Sequence, residues 1–454
     1  MDNAPAIRRM AAAAILSVVF GIVAWAGSAR LIGLNRADPD FADTASFRNL
    51  SAKFAGSLLP WGTDGVRNEL YTWLSRAVVD PADPGFARAM VRWNALLAGV
   101  CAAGLTAAFF ATLFFRDALL AGAFAVLGVL VPVTVYVAAE NLYYGLFAAA
   151  FMACVLAVRH GGAGWPALAG VMGGLAWLAK PSTEPLLLAA CGFLAFRTFF
   201  ADRGPAIFPR IARAAVPPLV LLAGALAVVS PRMVYAASAF EGRPLYNLSK
   251  FHFWVESWER CLESYMDCTP SALAKMEPLQ RPTAAAYFAR NGLAAGVSRL
   301  AGGLYARARQ LVAPSNPLEF LPRELFGHER TTVFPVREFV LAAFFVICGL
   351  SVARAGAGGL AASGLVWPAG FAICVAGGYL LLAAWYFPIS PGYRFTNVLL
   401  IPLAWSALYF GKAAGGDGGR AAWRVRMACG VALAGFGVAL FLDPRSYAFL
   451  WQTF

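Results

Sequence analysis

Long apolar runs recur along the whole chain, and they constrain its fold more than any other feature of the sequence. Several of them reach the roughly 20 residues that an α-helix needs to cross about 30 Å of hydrocarbon. Of the 454 residues, 60% are hydrophobic and only 13% are charged. The Gly, Ala, Leu and Phe content of the runs suits helix packing in lipid rather than the alternating pattern of a barrel strand. The sequence therefore predicts an all-α polytopic membrane protein.

We predict eleven transmembrane helices, joined by short connections and two long loops. The predicted spans are residues 10–34, 88–115, 118–138, 143–158, 164–179, 184–200, 214–231, 337–353, 358–386, 396–411 and 427–442. Residues 1–231 then form an N-terminal transmembrane module, 232–336 a long loop, and 337–454 the C-terminal transmembrane helices. Arg8 and Arg9 precede the first run as in a signal peptide. Because that run is long enough to span and further spans follow, we expect a retained first helix.

The basic residues orient these helices. With the N-terminus in the cytoplasm, the inner segments hold Arg8, Arg9, Arg116, Arg159, Arg197, Arg203, Arg210, Arg213, Arg354, Lys412, Arg420, Arg424 and Arg426. The short outer segments hold only Lys180, Arg394 and Arg445. The positive-inside rule therefore places the long loops, 35–87 and 232–336, on the outer face. Topology and anionic lipid also explain the net charge of +13, and we expect no nucleic-acid partner.

Three aspartates, Asp38, Asp40 and Asp43, directly follow the first apolar helix in the sequence NRADPDFADTASF. A free carboxylate at the lipid boundary is unfavourable unless it has a task or a partner. We therefore regard the segment 35–79 as a candidate reaction centre, which makes the first outer loop catalytic. The alternative is a solvated loop whose Asp and Pro residues only end the helix.

Three short outer segments carry further polar residues. Glu140 lies in a connection too short to hide a carboxylate in water, so it lines a cavity or pairs with a cation. Alternatively, Glu140 meets the dipole at the start of the next helix. In the tight turn KPSTE, Lys180 is placed to meet an anion at the membrane surface or to snorkel there. Arg394, at the outer end of a late span, has the same two interpretations.

The second long loop contains a cysteine pair and an amphipathic stretch. Cys261 and Cys268 bound the segment CLESYMDC and would form a disulfide if the loop faces an oxidising compartment; the alternative is two thiols. Apolar residues recur at helical spacing over 293–311, and Arg299 and Arg307 are among the arginines between them. This pattern predicts a helix in the membrane interface with its cations near lipid headgroups, or a buried helix of a small outer domain.

Five short motifs occur in an order that resembles a known family. They are D-T-A-S-F-R-N-L in the first loop, R-W-N-A-L-L entering the second span, A-E-N-L between spans, G-G-L-A-W-L-A-K-P-S-T, and G-Y-R-F-T-N-V-L-L-I-P late in the chain. Over residues 10–411 the chain resembles the GT-C superfamily of polyprenyl-phosphate-dependent glycosyltransferases, above all the branch of protein O-mannosyltransferases and lipid A aminoarabinose transferases. The resemblance implies a GT-C-like fold with its active site on the periplasmic face of a bacterial-type inner membrane.

The resemblance also implies which acids act on the substrates. Asp43, followed by Phe47, matches the family's catalytic base, which deprotonates or orients the acceptor hydroxyl. Asp40 and Asp38 are the reserves for this role. Glu140 would support the base or bind hydroxyls of the sugar or acceptor.

The same resemblance assigns cations to the donor. Lys180 and Arg394 match basic positions that hold the donor phosphate, on which negative charge develops as the sugar leaves. Arg299 and Arg307 are expected to add to this electrostatic clamp.

The favoured branch is generally metal-independent, so we expect no obligatory metal and no other cofactor. The alternative is a divalent cation bound by Asp38 and Asp40, because their D-P-D segment has the D-x-D form that binds a metal in oligosaccharide-transferring relatives.

The expected activity is an inverting transfer of a sugar from a polyprenyl-phosphate donor to an outer-face acceptor such as lipid A, a polysaccharide, another lipid or a protein. One alternative is a transporter or flippase of lipid-linked sugars, a protein that binds and moves its ligand without chemistry. The other is an oligosaccharide ligase that uses a pyrophosphate-linked donor. The long outer loops, and a sequence without visible inverted repeats, favour an enzyme over a transporter.

Overall fold

The computed structural model describes residues 4–34, 44–54, 65, 69–76, 78–131, 134, 139–201, 206–247, 249–264, 270–312, 364–389 and 397–413. All regular secondary structure in this part of the chain is helical. Several of the helices are long and apolar enough to cross a membrane. The prediction of an all-α membrane protein is therefore confirmed.

The α-helices are named here in chain order. They are α1 (Ala4–Leu34), α2 (Thr44–Lys53), α3 (Glu69–Ser75), α4 (Phe86–Thr112), α5 (Phe115–Ala123), α6 (Glu140–His160), α7 (Gly164–Ala179), α8 (Glu184–Ala201), α9 (Ile207–Ala239), α10 (Ser249–His252), α11 (Trp258–Ser264), α12 (Pro270–Lys275), α13 (Ala284–Val312), α14 (Val366–Trp385) and α15 (Leu400–Ala413). A π-helical segment, Phe124–Leu130, continues α5, and short 3₁₀ turns occupy Pro181–Thr183 and Pro278–Gln280.

Six of the described segments satisfy the length and hydropathy of a membrane span. They are Ile7–Arg30, Phe86–Thr112, Glu140–His160, Pro181–Ala201, Ile207–Ala239 and Val366–Trp385. The helix α7 is apolar but shorter. Each of these helices coincides with a span predicted from the sequence, whereas the predicted spans 337–353 and 427–442 lie outside the described residues.

The helix α9 differs from its prediction in length. The predicted span was 214–231, but α9 begins at Ile207 and ends at Ala239. Residues that the sequence assigned to the start of the second long loop, including Arg232, are therefore part of a helix.

The helix α6 lies at the centre of the bundle. Its side chains are buried along most of its length, and it packs against α4, α7, α8, α14 and α15. Glycine permits close helix contact elsewhere: a Cβ atom at Gly224 of α9 would lie 2.9 Å from the carbonyl oxygen of Ala167 in α7. Small residues of this kind let membrane helices approach each other closely. The central position of α6 puts its first residue, Glu140, in the middle of one end of the bundle.

The two ends of the bundle carry different polar groups. The Lys180 end is the end at which α7 finishes and α6 and α8 begin, and it is the predicted outer end. The Arg159 end is the opposite one, where the Arg159 guanidinium donates a hydrogen bond of 2.6 Å to the Tyr409 hydroxyl. Of the residues predicted to act on substrates, Glu140 and Lys180 lie at the Lys180 end.

Candidate functional site at the Lys180 end

An ion pair joins two of the predicted motifs. The Lys180 Nζ donates to Glu140 Oε1 over 3.2 Å, and the two side chains are 17% and 11% exposed. Glu140 is also the first residue of α6, so its carboxylate meets the positive end of that helix dipole as well. The structure thus combines two interpretations of Glu140 that the sequence left open, pairing with a cation and a favourable position at a helix start.

Buried hydroxyls hold the turn that follows Lys180. The Ser182 hydroxyl donates to the Tyr143 hydroxyl oxygen over 2.9 Å, and the Tyr379 hydroxyl donates to the Ser182 carbonyl. Thr183 Oγ1 donates to the Lys180 carbonyl over 3.0 Å. Tyr143 and Tyr379 are almost fully buried, so these bonds fix the turn to α6 and α14. The backbone beneath Lys180 is therefore rigidly positioned.

A second lysine–carboxylate pair lies at the far side of the same turn. Glu184 Oε1 accepts a hydrogen bond of 2.7 Å from Lys250 Nζ and one of 2.9 Å from the Trp177 indole nitrogen. The side chains of Lys250 and Glu184 are 40% and 36% exposed, which makes this pair much more accessible than Lys180–Glu140. We call Glu140, Lys180, Glu184 and Lys250 the Lys180 cluster.

The first long loop packs against the bundle next to this cluster. Phe47 of α2 meets Tyr71 of α3 edge to face at a ring-centroid distance of 5.2 Å, and the Tyr71 hydroxyl donates to Asn94 Oδ1 over 2.8 Å. Burial raises the pKa of Tyr71, and the negative charge of Glu140 raises it further. The helix α3 also packs against α7, which ends directly before Lys180. Thr44, the first residue of α2, is buried.

A buried ion pair ties the first loop to α9. Arg232 Nε lies 3.3 Å from Glu69 Oε1, and both side chains are 1% exposed. The other guanidinium nitrogens donate to the carbonyls of Pro244 over 2.8 Å and Tyr246 over 2.5 Å. The guanidinium also lies over the Trp177 ring, 5.1 Å from its centroid. Arg232 thus connects α3, α7 and the beginning of the second long loop.

Sequence analysis did not identify Lys250, Glu69 or Arg232. Arg232 was assigned to a loop because the predicted span ended one residue before it. An arginine in a loop is not a signal of function. A longer apolar span would have placed it inside a membrane helix, where an ionisable residue is a functional signal. Lys250 is a lone lysine in the aromatic stretch YNLSKFHFW, and this isolated charge is the sequence feature that could have identified it.

Arg299 and Arg307 bind the end of α14. The Arg299 guanidinium donates to the carbonyls of Trp385 over 2.9 Å and Val255 over 2.8 Å, and it lies over the Trp385 ring at 4.7 Å. The Arg307 guanidinium donates to the Ala383 carbonyl over 3.2 Å and is buried. These bonds give both arginines a role in packing α13 against α14. Their predicted contact with a donor phosphate stays a prediction.

The remaining predicted site residues lie outside the part of the chain that the structure describes. They are Asp38, Asp40, Asp43, Arg394 and Cys268. Cys261 is buried in α11, and its disulfide with Cys268 stays a prediction. Among the described residues, no group of three or more His, Cys, Asp or Glu side chains is arranged to hold a metal ion.

Comparison with known proteins does not assign the chain to a family. No protein-family model matches the sequence, and no curated protein matches it significantly.

Proposed function

We propose that this protein is an integral membrane glycosyltransferase of the GT-C type. It transfers a sugar from a polyprenyl-phosphate donor to an acceptor on the outer, periplasmic face of the cytoplasmic membrane. One observation carries the proposal: the ion pair between Glu140 and Lys180 brings the A-E-N-L and K-P-S-T motifs together. Two separate parts of the resemblance therefore meet at one end of the bundle, and α3 of the first loop packs against α7, which ends directly before Lys180.

The proposed reaction is an inverting displacement at the anomeric carbon. The acceptor hydroxyl gives its proton to the carboxylate of Asp43 as its oxygen attacks, with Asp40 as the alternative base. A new bond forms between the acceptor oxygen and the sugar, and the bond between the sugar and the donor phosphate breaks. Polyprenyl phosphate leaves with the bonding electrons, so no covalent enzyme intermediate and no cofactor are required.

Fixed charges interact with the leaving phosphate and with hydroxyls of the sugar or acceptor. Lys180 and Arg394 bind the phosphate, on which negative charge accumulates as the bond breaks. Glu140 keeps Lys180 in place and accepts hydrogen bonds from hydroxyls of the sugar or acceptor. Burial of the Glu140–Lys180 pair strengthens such interactions, because charges are screened less away from bulk water.

The position of the base is supported by its neighbours. Asp43 directly precedes Thr44, which is buried where α2 begins. Phe47 of the same helix contacts Tyr71 of α3, and α3 packs against α7, the helix that ends directly before Lys180. These contacts link α2 with the helix that leads into the Lys180 cluster, an arrangement that suits a first-loop base.

The experiment is a transfer assay with the full-length protein in reconstituted membranes. A synthetic polyprenyl-phosphate donor carries a labelled sugar, and lipid, polysaccharide and protein fractions are offered as acceptors. We expect transfer and release of polyprenyl phosphate by the wild type, and a loss of at least ~100-fold in Asp43→Asn, which is the usual contribution of a general base.

The matched control is Asp83→Asn, in the same loop. Asp83 is exposed, and its Oδ1 accepts a hydrogen bond from the Gly85 amide, which asparagine also can accept. We expect Asp83→Asn to keep transfer activity. Full activity in Asp43→Asn would remove the proposed mechanism. Movement of the intact labelled donor across the membrane, without release of polyprenyl phosphate, would identify a transporter instead. Transfer from a pyrophosphate-linked donor alone would identify a ligase.

A further inference from the structure

The two ion pairs of the Lys180 cluster differ in accessibility. Lys180 and Glu140 are 17% and 11% exposed, whereas Lys250 and Glu184 are 40% and 36% exposed. Lys180 follows α7 directly, in the turn between two apolar helices. Lys250 belongs to α10 of the second long loop and approaches the turn from outside the bundle. A ligand that arrives from the surface of the protein therefore reaches Lys250 first.

Accessibility also determines how easily each pair separates. An exposed ion pair contributes little to stability because water solvates both partners well after separation. Separation of a mostly buried pair is unfavourable, because it leaves a charge in a poorly solvated place. Lys250 can therefore exchange its partner at low cost, and Lys180 is expected to remain with Glu140.

Glu184 has a second partner that remains after such an exchange. The Trp177 indole nitrogen donates to Glu184 Oε1 over 2.9 Å, independently of Lys250. The carboxylate would keep this hydrogen bond and its contact with water when the lysine leaves. The carbonyl of Tyr246, four residues before Lys250, is held by Arg232, so the segment that carries the lysine is anchored while its side chain moves.

We propose that Lys250 is a phosphate-binding residue of this site and that Glu184 holds it until a ligand arrives. The ligand class is a lipid-linked phosphodiester: its anionic oxygens replace the Glu184 carboxylate as acceptors for the Lys250 ammonium group. This inference rests on the proposed function and adds to it a residue from the second long loop. It also gives Glu184 the role of a competitor that weakens donor binding.

The test measures binding without catalysis. Polyprenyl phosphate without a sugar is titrated into the purified full-length protein in detergent, and the dissociation constant is measured by calorimetry. The variants are Lys250→Ala, Lys250→Arg and Glu184→Gln, with Lys275→Ala as the matched control, since Lys275 is an exposed lysine of the same loop. Melting temperatures are recorded for every variant, so that any loss of structure is recognised.

Opposite effects of the two partners are the expected signature. Lys250→Ala should weaken binding by about tenfold, which corresponds to the loss of one charge-assisted hydrogen bond. Lys250→Arg should restore most of the affinity. Glu184→Gln should tighten binding, because glutamine keeps the hydrogen bond from Trp177 but no longer holds the lysine by charge. Lys275→Ala should bind like the wild type.

A purely structural ion pair would behave differently. In that case Lys250→Ala and Glu184→Gln would weaken binding equally or leave it unchanged, and either result overturns the inference. Inorganic phosphate and phosphatidylglycerol serve as parallel ligands. Equal binding of phosphatidylglycerol and polyprenyl phosphate would assign Lys250 to an ordinary lipid headgroup and would also overturn the inference.

The transfer assay separates this inference from the proposed function. If the wild type binds polyprenyl phosphate through Lys250 but transfers no sugar, the proposed function fails and the binding role stands. If the wild type transfers sugar and Lys250→Ala has an unchanged KM for the donor, the inference fails and the proposed function stands.

Discussion

Two regions of this molecule contain cations that the sequence predicted to bind phosphate, and the structure gives these cations different partners. In the Lys180 cluster, Lys180 meets a carboxylate from another helix, Glu140. Where α13 crosses the end of α14, Arg299 and Arg307 meet backbone carbonyls instead. The first arrangement pairs a cation with a side-chain charge, and so does the more exposed Lys250–Glu184 pair of the same cluster. The second satisfies carbonyls that every α-helix leaves without a partner in its last turn.

The carbonyl-bound arrangement recurs at the Arg159 end of the bundle. The Arg197 guanidinium donates to the Arg159 carbonyl near the end of α6, and Lys412 Nζ donates to the Thr112 carbonyl at the end of α4, both over 2.9 Å. Cations at helix C-termini also interact favourably with the helix dipole. A cation near a membrane boundary therefore has a common structural use at helix ends, and its carboxylate partner sets Lys180 apart from Arg299, Arg197 and Lys412.

The largest expected effect concerns Arg232, which combines both kinds of partner. Its replacement in Arg232→Met removes the cation that pairs with the buried carboxylate of Glu69 and the guanidinium that donates to two carbonyls. We expect the free energy of unfolding to fall by about 3–5 kcal/mol, which is typical of a broken buried ion pair. Reversible unfolding of the purified protein in detergent measures this change.

The double variant Glu69→Gln/Arg232→Met is the control, because it removes both charges together. It should be more stable than Arg232→Met alone, since the buried carboxylate is neutralised together with its cation. If the double variant is no more stable, the carbonyl bonds of Arg232 dominate, and the distinction between carboxylate and carbonyl partners would not hold at this position.

A smaller effect is expected where α13 meets α14. A Cβ atom at Gly303 would overlap the carbonyl group of Ala384, a backbone group that cannot move away easily, whereas nothing lies within 4 Å of a Cβ atom at Gly302. Gly303→Ala should therefore lower the free energy of unfolding by about 1–3 kcal/mol, the usual effect of overpacking. Thermal unfolding measures this difference.

Gly302→Ala is the matched control for Gly303→Ala. It should be neutral or slightly stabilising, because alanine favours a helix over glycine by about 1 kcal/mol. Equal stability of the two variants would mean that α13 does not need close contact with α14. The carbonyl-bound role of Arg299 and Arg307 would then lose its support.

The sequence predicted the fold class and most of the described spans, since long apolar runs are a local property of the chain. It predicted less well where a span ends. The helix α9 continues to Ala239 although Arg232 interrupts its apolar pattern, because Glu69 and two carbonyls compensate the charge inside the protein. A prediction based on hydropathy cannot anticipate a partner 163 residues away in the sequence.

The site was predicted in part for the same reason. Glu140 and Lys180 were predicted as site residues because each of these charged residues lies in a very short connection between apolar runs. The sequence did not show that they pair with each other, nor that Lys250 approaches Glu184. Those contacts depend on how α6 and α7 pack and on the path of the second long loop. Only a three-dimensional arrangement distinguishes a carboxylate-paired lysine from one that snorkels.

The smallest expected effect is a change of stability with pH, and it concerns a cation that is paired with a carboxylate. Glu256 Oε1 in the second long loop accepts hydrogen bonds from Arg290 over 2.8 Å and Asn291 over 3.1 Å. Burial alone would raise the pKa of Glu256, but these bonds outweigh it and hold the pKa below its usual value near 4.5. Carboxylates of this kind stabilise the folded state above the unfolded pKa, and they lose that contribution as the pH falls through the lower, folded pKa.

We therefore compare the melting temperatures of the wild type and Glu256→Gln from pH 7 to pH 3. The wild type should be slightly more stable at pH 7, by less than about 1 kcal/mol as for most partly exposed ion pairs, and this advantage should disappear towards pH 3. Arg299→Met is the contrasting variant, because Arg299 donates to the carbonyls of Trp385 and Val255, which do not titrate in this range. The loss of stability in Arg299→Met relative to the wild type should stay constant with pH. A loss in Arg299→Met that also disappears in acid would show that a carboxylate contributes at the junction of α13 and α14, and the two regions would then be alike.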